Sequence, residues 1–213
     1  MKVVIIGGSG HYGYALEGIK EDRNISITGI APGSEGEDVN AVYQAACNLG
    51  HAPRIFDDYR SMLDEQKPDI AVVDCFFGYH AEVIKQVLKR GIHVFVDKPV
   101  AITFEELEGL KEIYSKSDVY LAAMFGIRYS AHFMTAWRMV KEGVVGQIRL
   151  MNAQKSYKLG RRSGFYKSRS TYGGTIPWVG SHAIDWLYWF SGEKFVSVYA
   201  SHSTRYNQDH GEL

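Results

Sequence analysis

The segment Val3-Val4-Ile5-Ile6-Gly7-Gly8-Ser9-Gly10-His11-Tyr12-Gly13 constrains this chain more than any other. Its unbroken apolar run has the pattern of a strand buried on both faces. Gly8-x-Gly10-x-x-Gly13 then follows that strand and opens a helical stretch from about His11 to Glu21. In this context the spacing has a physical meaning. The first glycine lets the chain turn sharply, the second lets backbone approach a pyrophosphate, and the third lets helix and strand pack closely. Free N–H groups at the helix start then meet negative phosphates. A chain that begins this way is expected to build a βαβ unit and to bind NAD or NADP.

The next hundred residues continue the alternation. Strands are read at Ile25 to Ile30, Ile70 to Asp74, Ile92 to Val96 and Val119 to Met124. Helices are read at Glu37 to Leu49, Asp58 to Gln66, Tyr79 to Arg90 and Thr103 to Lys116, with Gly50 and Gly91 as stops. Thr103-Phe104-Glu105-Glu106 fits a capping box. This rhythm predicts an α/β domain, a doubly wound parallel sheet over residues 1–125. The usual acidic residue at the end of the second strand is missing from its place. That strand runs into Ile30-Ala31-Pro32-Gly33-Ser34, and the first carboxylate is Glu35. No Arg or Lys lies nearby to hold a 2′-phosphate, and Ser34 suits either cofactor, so NAD versus NADP stays open.

After Phe125 the rhythm changes to an α+β pattern over 126–213. A helix is expected from His132 to Glu142, a long strand from Gln147 to Lys158, a helix from Ser181 to Phe190 and a strand from Phe195 to Tyr206. The two strands are expected to be neighbours in one sheet. The helix between them would present Ile184, Leu187 and Tyr188 to it. Between Lys155 and Arg169 six cations occur without an acid, a solvated loop or a loop over an anionic or polyhydroxyl substrate.

Composition narrows the functional classes. The 213 residues carry 24 Lys+Arg against 24 Asp+Glu, which argues against nucleic-acid binding through a global basic field and against a polybasic membrane surface. Cys47 and Cys75 are too few for a disulfide framework and lack metal-ligand spacing, so they read as reduced buried thiols, and no metal site is expected. No apolar run approaches the roughly 18 residues of a membrane span, and the expected location is cytoplasmic.

Four segments in order resemble the glucose–fructose oxidoreductase / inositol dehydrogenase family. They are the glycine loop, Gly91-Ile92-His93-Val94-Phe95-Val96-Asp97-Lys98-Pro99, Phe125-Gly126-Ile127-Arg128-Tyr129, and the stretch Gly173-Gly174 through Gly180-Ser181-His182-Ala183-Ile184-Asp185. The resemblance implies a Rossmann domain followed by a largely antiparallel α+β domain. It implies NAD(P)-dependent hydride transfer at a hydroxyl-bearing carbon of a sugar, cyclitol or related polyol, in a homo-oligomer. By the same resemblance Gly8, Gly10, His11, Tyr12, Gly13, Ser34, Cys75, His80, Asp97 and Lys98 line the cofactor. Lys98, Arg128, Tyr157, Asp185 and His182 meet the substrate. Lys98 would stabilise the developing alkoxide and His182 would carry the proton; Asp185, one turn on, could orient His182 but reads as structural rather than chemical.

The sequence departs from that pattern in three places. Trp178 stands where many members have an aspartate, Asp97 replaces the glutamate before the lysine, and Cys75-Phe76-Phe77 replaces Thr-Pro-Asn. These keep two further readings open. One is a non-catalytic NAD(P)-binding sensor or scaffold. The other is an enzyme whose cofactor cycles within one net non-redox reaction. The family's second domain is about twice as long, so the chain is expected to be a fragment of a longer protein, or to close its open sheet edge with a symmetric partner.

Overall fold

A computed structural model describes residues 1–156, 158 and 160–201. The described residues divide into two compact units, 1–124 with 170–173, and those of 125–169 with 174–201.

The first unit is built on six parallel strands in the order β3-β2-β1-β4-β5-β6. They are β1 (Lys2–Gly7), β2 (Ser26–Ala31), β3 (Arg54–Ile55), β4 (Ile70–Asp74), β5 (His93–Val96) and β6 (Leu121–Ala123). Helices α1 (Gly13–Lys20), α2 (Asn40–Asn48), α3 (Tyr59–Gln66), α4 (His80–Leu88) and α5 (Phe104–Tyr114) connect them. Because side chains alternate across a strand, β1 feeds two cores. Val4 and Ile6 pack with Met62, Leu63, Ile84, Val87 and Leu110 of α3, α4 and α5. Val3 and Ile5 pack with Leu16, Ile19, Val42 and Ala46 of α1 and α2. Both sheet faces are therefore covered, as the continuous apolar strands require. The strand order reverses between β1 and β4, which places a crevice at the carboxyl ends of those strands.

Local signals account for most boundaries. The Thr103 hydroxyl accepts from the Glu106 amide at 3.2 Å, and the Glu106 carboxylate accepts from the amides of Ile102 and Thr103, so the capping box forms. Asp58 is the N-cap of α3, accepting from the Ser61 amide at 2.9 Å. The helix read from Glu37 begins three residues later, at Asn40, because Glu37 is engaged elsewhere. β3 has only two residues and gave no periodic signal.

The second unit contains a 3₁₀ turn (Gly126–Tyr129), α6 (Ala131–Lys141), a further 3₁₀ turn (Gly164–Lys167), a π-helical turn (Ile176–Gly180) and α8 (Ser181–Ser191). The short α7 (Arg169–Tyr172) lies where the chain passes between the units. Here the expected strands are corrected. Residues 147–156 and 195–201 carry no strand, and the rest of the expected second strand lies outside the described residues. A strand exists only with a neighbour to complete its ladder, and no partner for either segment is present among the described residues. The face of α8 is corrected as well. Ile184 and Tyr188 are about half exposed. The aromatic face packs instead, with Phe133 4.8 Å from Trp186 and the Trp137 and Trp189 rings stacked at 5.6 Å. Among the described residues, no helix is long and apolar enough to cross a membrane.

Candidate functional site

The carboxyl ends of β1, β2, β4 and β5 carry the residues that the sequence singled out in the first unit. Gly7, the last residue of β1, has φ +93°, and a Cβ there would collide with the backbone at Asp74 and Cys75. The sharp turn thus falls at Gly7, one residue before the expected Gly8. A Cβ on Gly8 would lie 2.9 Å from Val42 of α2. Gly13 is corrected in the other direction. Nothing lies within 4 Å of a Cβ there, so close helix–strand packing does not demand it.

The backbone donors of the loop are largely taken by the chain itself. The Gly8 amide donates to Glu37 Oε1 at 3.1 Å, and the Ser9 amide to the Asp74 carbonyl at 2.9 Å. The Gly10 amide donates to Asp74 Oδ2 at 3.1 Å, and the His11 amide to Asp97 Oδ2 at 3.2 Å. His11 Nδ1 also lies 2.9 Å from Asp97 Oδ2. A Cβ on Gly10 would collide with Asp97 Oδ2 and stand 2.8 Å from Asp74 Oδ1. The second glycine is therefore required by the protein's own carboxylates, before any ligand arrives.

Three acids hold this loop, and sequence reasoning singled out only Asp97. Asp74 and Asp97 are fully buried, and Glu37 is 9% exposed. Burial raises the Asp74 pKa well above the usual carboxylate range, the neighbouring Asp97 adds to the rise, and the Gly10, Tyr12 and His11 amides oppose it. Glu37 is also raised by burial, against the Ser9 hydroxyl and the amides of Gly8, Gly33 and Ser34. Its Oε1 accepts from Gly8 and the Ser9 hydroxyl, and its Oε2 from Gly33 at 3.0 Å and Ser34 at 3.1 Å. Glu37 thus ties the β1 and β2 ends together. The one sequence signal for it was a carboxylate shortly after β2. Its place beside Gly8 depends on a loop whose course no local pattern specifies.

The other expected residues sit as follows. Ser34 is buried, and its hydroxyl accepts from the Phe76 amide at 3.0 Å. Cys75 is a buried free thiol raised by burial, whereas Cys47, expected to be buried, is partly exposed. His80 is fully buried, with Nδ1 2.8 Å from the Pro99 carbonyl and Nε2 3.0 Å from the Cys75 carbonyl. Burial lowers its pKa, and the Pro99 carbonyl and Asp97 oppose this. It staples the end of β4 to the segment after β5, where Lys98 is 3% exposed and the Lys98–Pro99 peptide is cis. Tyr12 is half-buried and His11 and Gly13 are exposed, beside an open hollow of about 400 Å³ lined by Gly10 to Tyr14 and Glu17. An open helix start, a glycine approach and a crevice at the strand reversal fit a dinucleotide.

In the second unit, Arg128 Nε donates to Asp185 Oδ2 at 2.7 Å, and its Nη2 donates to Oδ1. Asp185 raises the Arg128 pKa. This corrects the expected pairing, because both oxygens of Asp185 go to Arg128 and none to His182. His182 is 8% exposed, between the edge of Phe125 at 5.9 Å and the face of Trp186 at 6.2 Å. Trp178 is buried one turn before it, 4.9 Å from Tyr166 and 5.1 Å from the Arg162 guanidinium. Tyr157 lies outside the described residues. Among the described residues, no cluster of three His, Cys, Asp or Glu side chains is placed to hold a metal.

Residues 1–125 match the family described as oxidoreductase family, NAD-binding Rossmann fold, and residues 133–212 match the GFO/IDH/MocA C-terminal domain. The chain is 30% identical over 133 residues to an uncharacterised oxidoreductase of Schizosaccharomyces pombe, covering 62% of this chain and 36% of that protein. It is 52% identical to a solved structure from Thermotoga maritima described as an oxidoreductase, with a TM-score of 0.96, covering all of this chain and 65% of that one. The scyllo-inositol dehydrogenase of Lactobacillus casei, solved with NAD(H) and scyllo-inositol, shares the fold at 20% identity and a TM-score of 0.71, covering 90% of this chain and 56% of that one. The chain thus spans about a third to two thirds of the length of these relatives.

The crowding at Gly10 generates a prediction. Gly10→Ala should lose about 1–3 kcal/mol of unfolding free energy in urea without any cofactor, as overpacked sites do. Gly13→Ala, with open space around it, should change stability by less than about 1 kcal/mol. Equal stabilities for the two variants would contradict the packing described.

Proposed function

The chain belongs to the GFO/IDH/MocA family of NAD(P)-dependent oxidoreductases, and from that premise we propose that it moves hydride between NAD and a hydroxyl-bearing carbon of a sugar, cyclitol or related polyol. The observation that carries this reading is the buried Lys98 two residues after β5, at the carboxyl edge of the sheet where ligands of such folds gather. The nicotinamide, when bound, supplies the hydride acceptor. The chain's own groups handle charge and protons. In this reading the Lys98 ammonium of the first unit favours the alkoxide as the hydroxyl proton leaves; in the second unit His182 is the proposed proton carrier, on a helix that the Arg128–Asp185 pair fixes. His80 holds Lys98 in place through the Pro99 carbonyl. Cytoplasmic location and assembly as a homo-oligomer belong to the same proposal.

Glu37 supports NAD over NADP. Its four donors, three amides and one hydroxyl from two loops, make a nest of the kind that holds a phosphate. A carboxylate already fills it, so a second anion meets repulsion and finds no free donor there. Wild-type protein should therefore bind NADH at least about tenfold more tightly than NADPH, and Glu37→Gln should narrow that ratio. Equal affinity of the wild-type protein for both would reject this role for Glu37.

A second reading, a cofactor-binding sensor without turnover, is favoured by Trp178, which puts an indole one turn before His182. Turnover separates the two. With NAD and a panel of cyclitols and aldoses, the wild-type protein should form NADH. Lys98→Met should lower kcat by about 10²-fold or more while its NADH affinity stays within about threefold. Absence of turnover on every polyol despite tight NADH binding would favour the sensor. Equal turnover by Lys98→Met would remove Lys98 from the chemistry.

A further inference from the structure

Asp74 is the last residue of β4, and Asp97 follows the last residue of β5. Val73 and Val96 are register partners, so the two aspartates emerge side by side from adjacent parallel strands. Both are fully buried. Asp74 Oδ1 and Asp97 Oδ2 crowd one point beside Gly10. Each residue also keeps one buried oxygen, Asp74 Oδ1 and Asp97 Oδ1, with no hydrogen-bond partner. Two like charges packed this closely away from water do not both ionise readily, and a shared proton gives an orphaned oxygen the partner it lacks.

The same pair anchors the amides of Gly10 and His11, in the loop read as the pyrophosphate cradle. An arriving phosphate therefore brings negative charge to a loop that already rests on carboxylates. We propose that Asp74, packed against Asp97, takes up a proton from solvent when the dinucleotide binds, so that cofactor affinity rises as pH falls. The proposal rests on the reading of the glycine loop as the cofactor site.

The groups facing the pair are few. The loop contributes His11, against Asp97 Oδ2, β4 continues into Cys75, and Lys98 follows Asp97. From α4, the buried His80 feels Asp97, and Glu37 holds the neighbouring Gly8 amide. His11 is the competing proton acceptor, with 42% of its side chain exposed. The sign follows from linkage. Burial and the Asp97 charge already push the Asp74 ionisation upward, and added phosphate charge pushes it further in the same direction. The bound state then holds more protons than the free state at a given pH, and affinity is lost as pH rises.

Isothermal titration of the whole chain with NADH, in buffers of differing ionisation heat from about pH 6 to pH 9, counts the protons directly. Net uptake is expected within that range, approaching one proton, with affinity falling by up to about tenfold per pH unit where uptake is complete. Asp74→Asn, which mimics the protonated acid, should bind NADH with the uptake abolished and the pH dependence flattened. His11→Gln should retain both. NADH binding by the wild-type protein without net uptake anywhere in the range overturns the acid pair and leaves the cofactor site standing. Uptake lost in His11→Gln and kept in Asp74→Asn assigns the proton to His11 and also overturns it. No binding of NADH at any pH overturns the cofactor reading and the proposal with it. If Asp74→Asn fails to fold, Asp97→Asn takes its place and should likewise abolish the uptake, while absence of uptake in the wild-type protein overturns the pair without any variant.

Discussion

Three buried carboxylates hold one glycine-rich loop, and the nucleotide-binding unit is organised around that contact. Glu37, Asp74 and Asp97 arrive from the ends of three different strand connections and accept the amides of Gly8, Gly10 and His11. Without them the loop would hold a row of part-buried backbone donors with no protein partner, a costly arrangement. With them, the loop has a fixed shape before cofactor arrives. The cost is carried by the acids, whose burial raises the pKa of Asp74 and Glu37. The geometry of Gly10 follows, since any side chain there would strike the two aspartates.

This arrangement changes how a glycine fingerprint is understood. The motif is usually explained through the ligand, glycine by glycine. In this chain Gly7 makes the turn, Gly8 clears Val42, Gly10 clears the acids, and Gly13 clears nothing. Those four consecutive amides, from Gly8 to His11, are engaged internally. Anion attraction then falls to the start of α1, beside the hollow at Gly13.

Much of the first unit was legible in the sequence. The apolar runs at Val3–Ile6 and Ala71–Val73 are buried on both faces, and Thr103 and Asp58 cap the helices they were read to start. Such signals are local, which is why they survive folding. Glu37 was not legible, because its role depends on a partner 29 residues away in a separate loop. Asp74 read as a strand end, and its closeness to Asp97 is a matter of strand order. In the second unit, residues 147–158 read as a long strand, but a strand needs a neighbour, which the segment's own sequence does not supply. The stripe Ile184–Leu187–Tyr188 misled for a related reason. α8 carries apolar residues on most of its surface, and the larger aromatic rings won the contact with α6.

The most direct test of this account is amide hydrogen exchange in the cofactor-free protein, read residue by residue by NMR. If the carboxylates hold the loop, the Gly8, Gly10 and His11 amides exchange at least about 10²-fold more slowly than in an unstructured peptide. Exchange of these three amides at unprotected rates, with β1 and β4 fully protected, would contradict it.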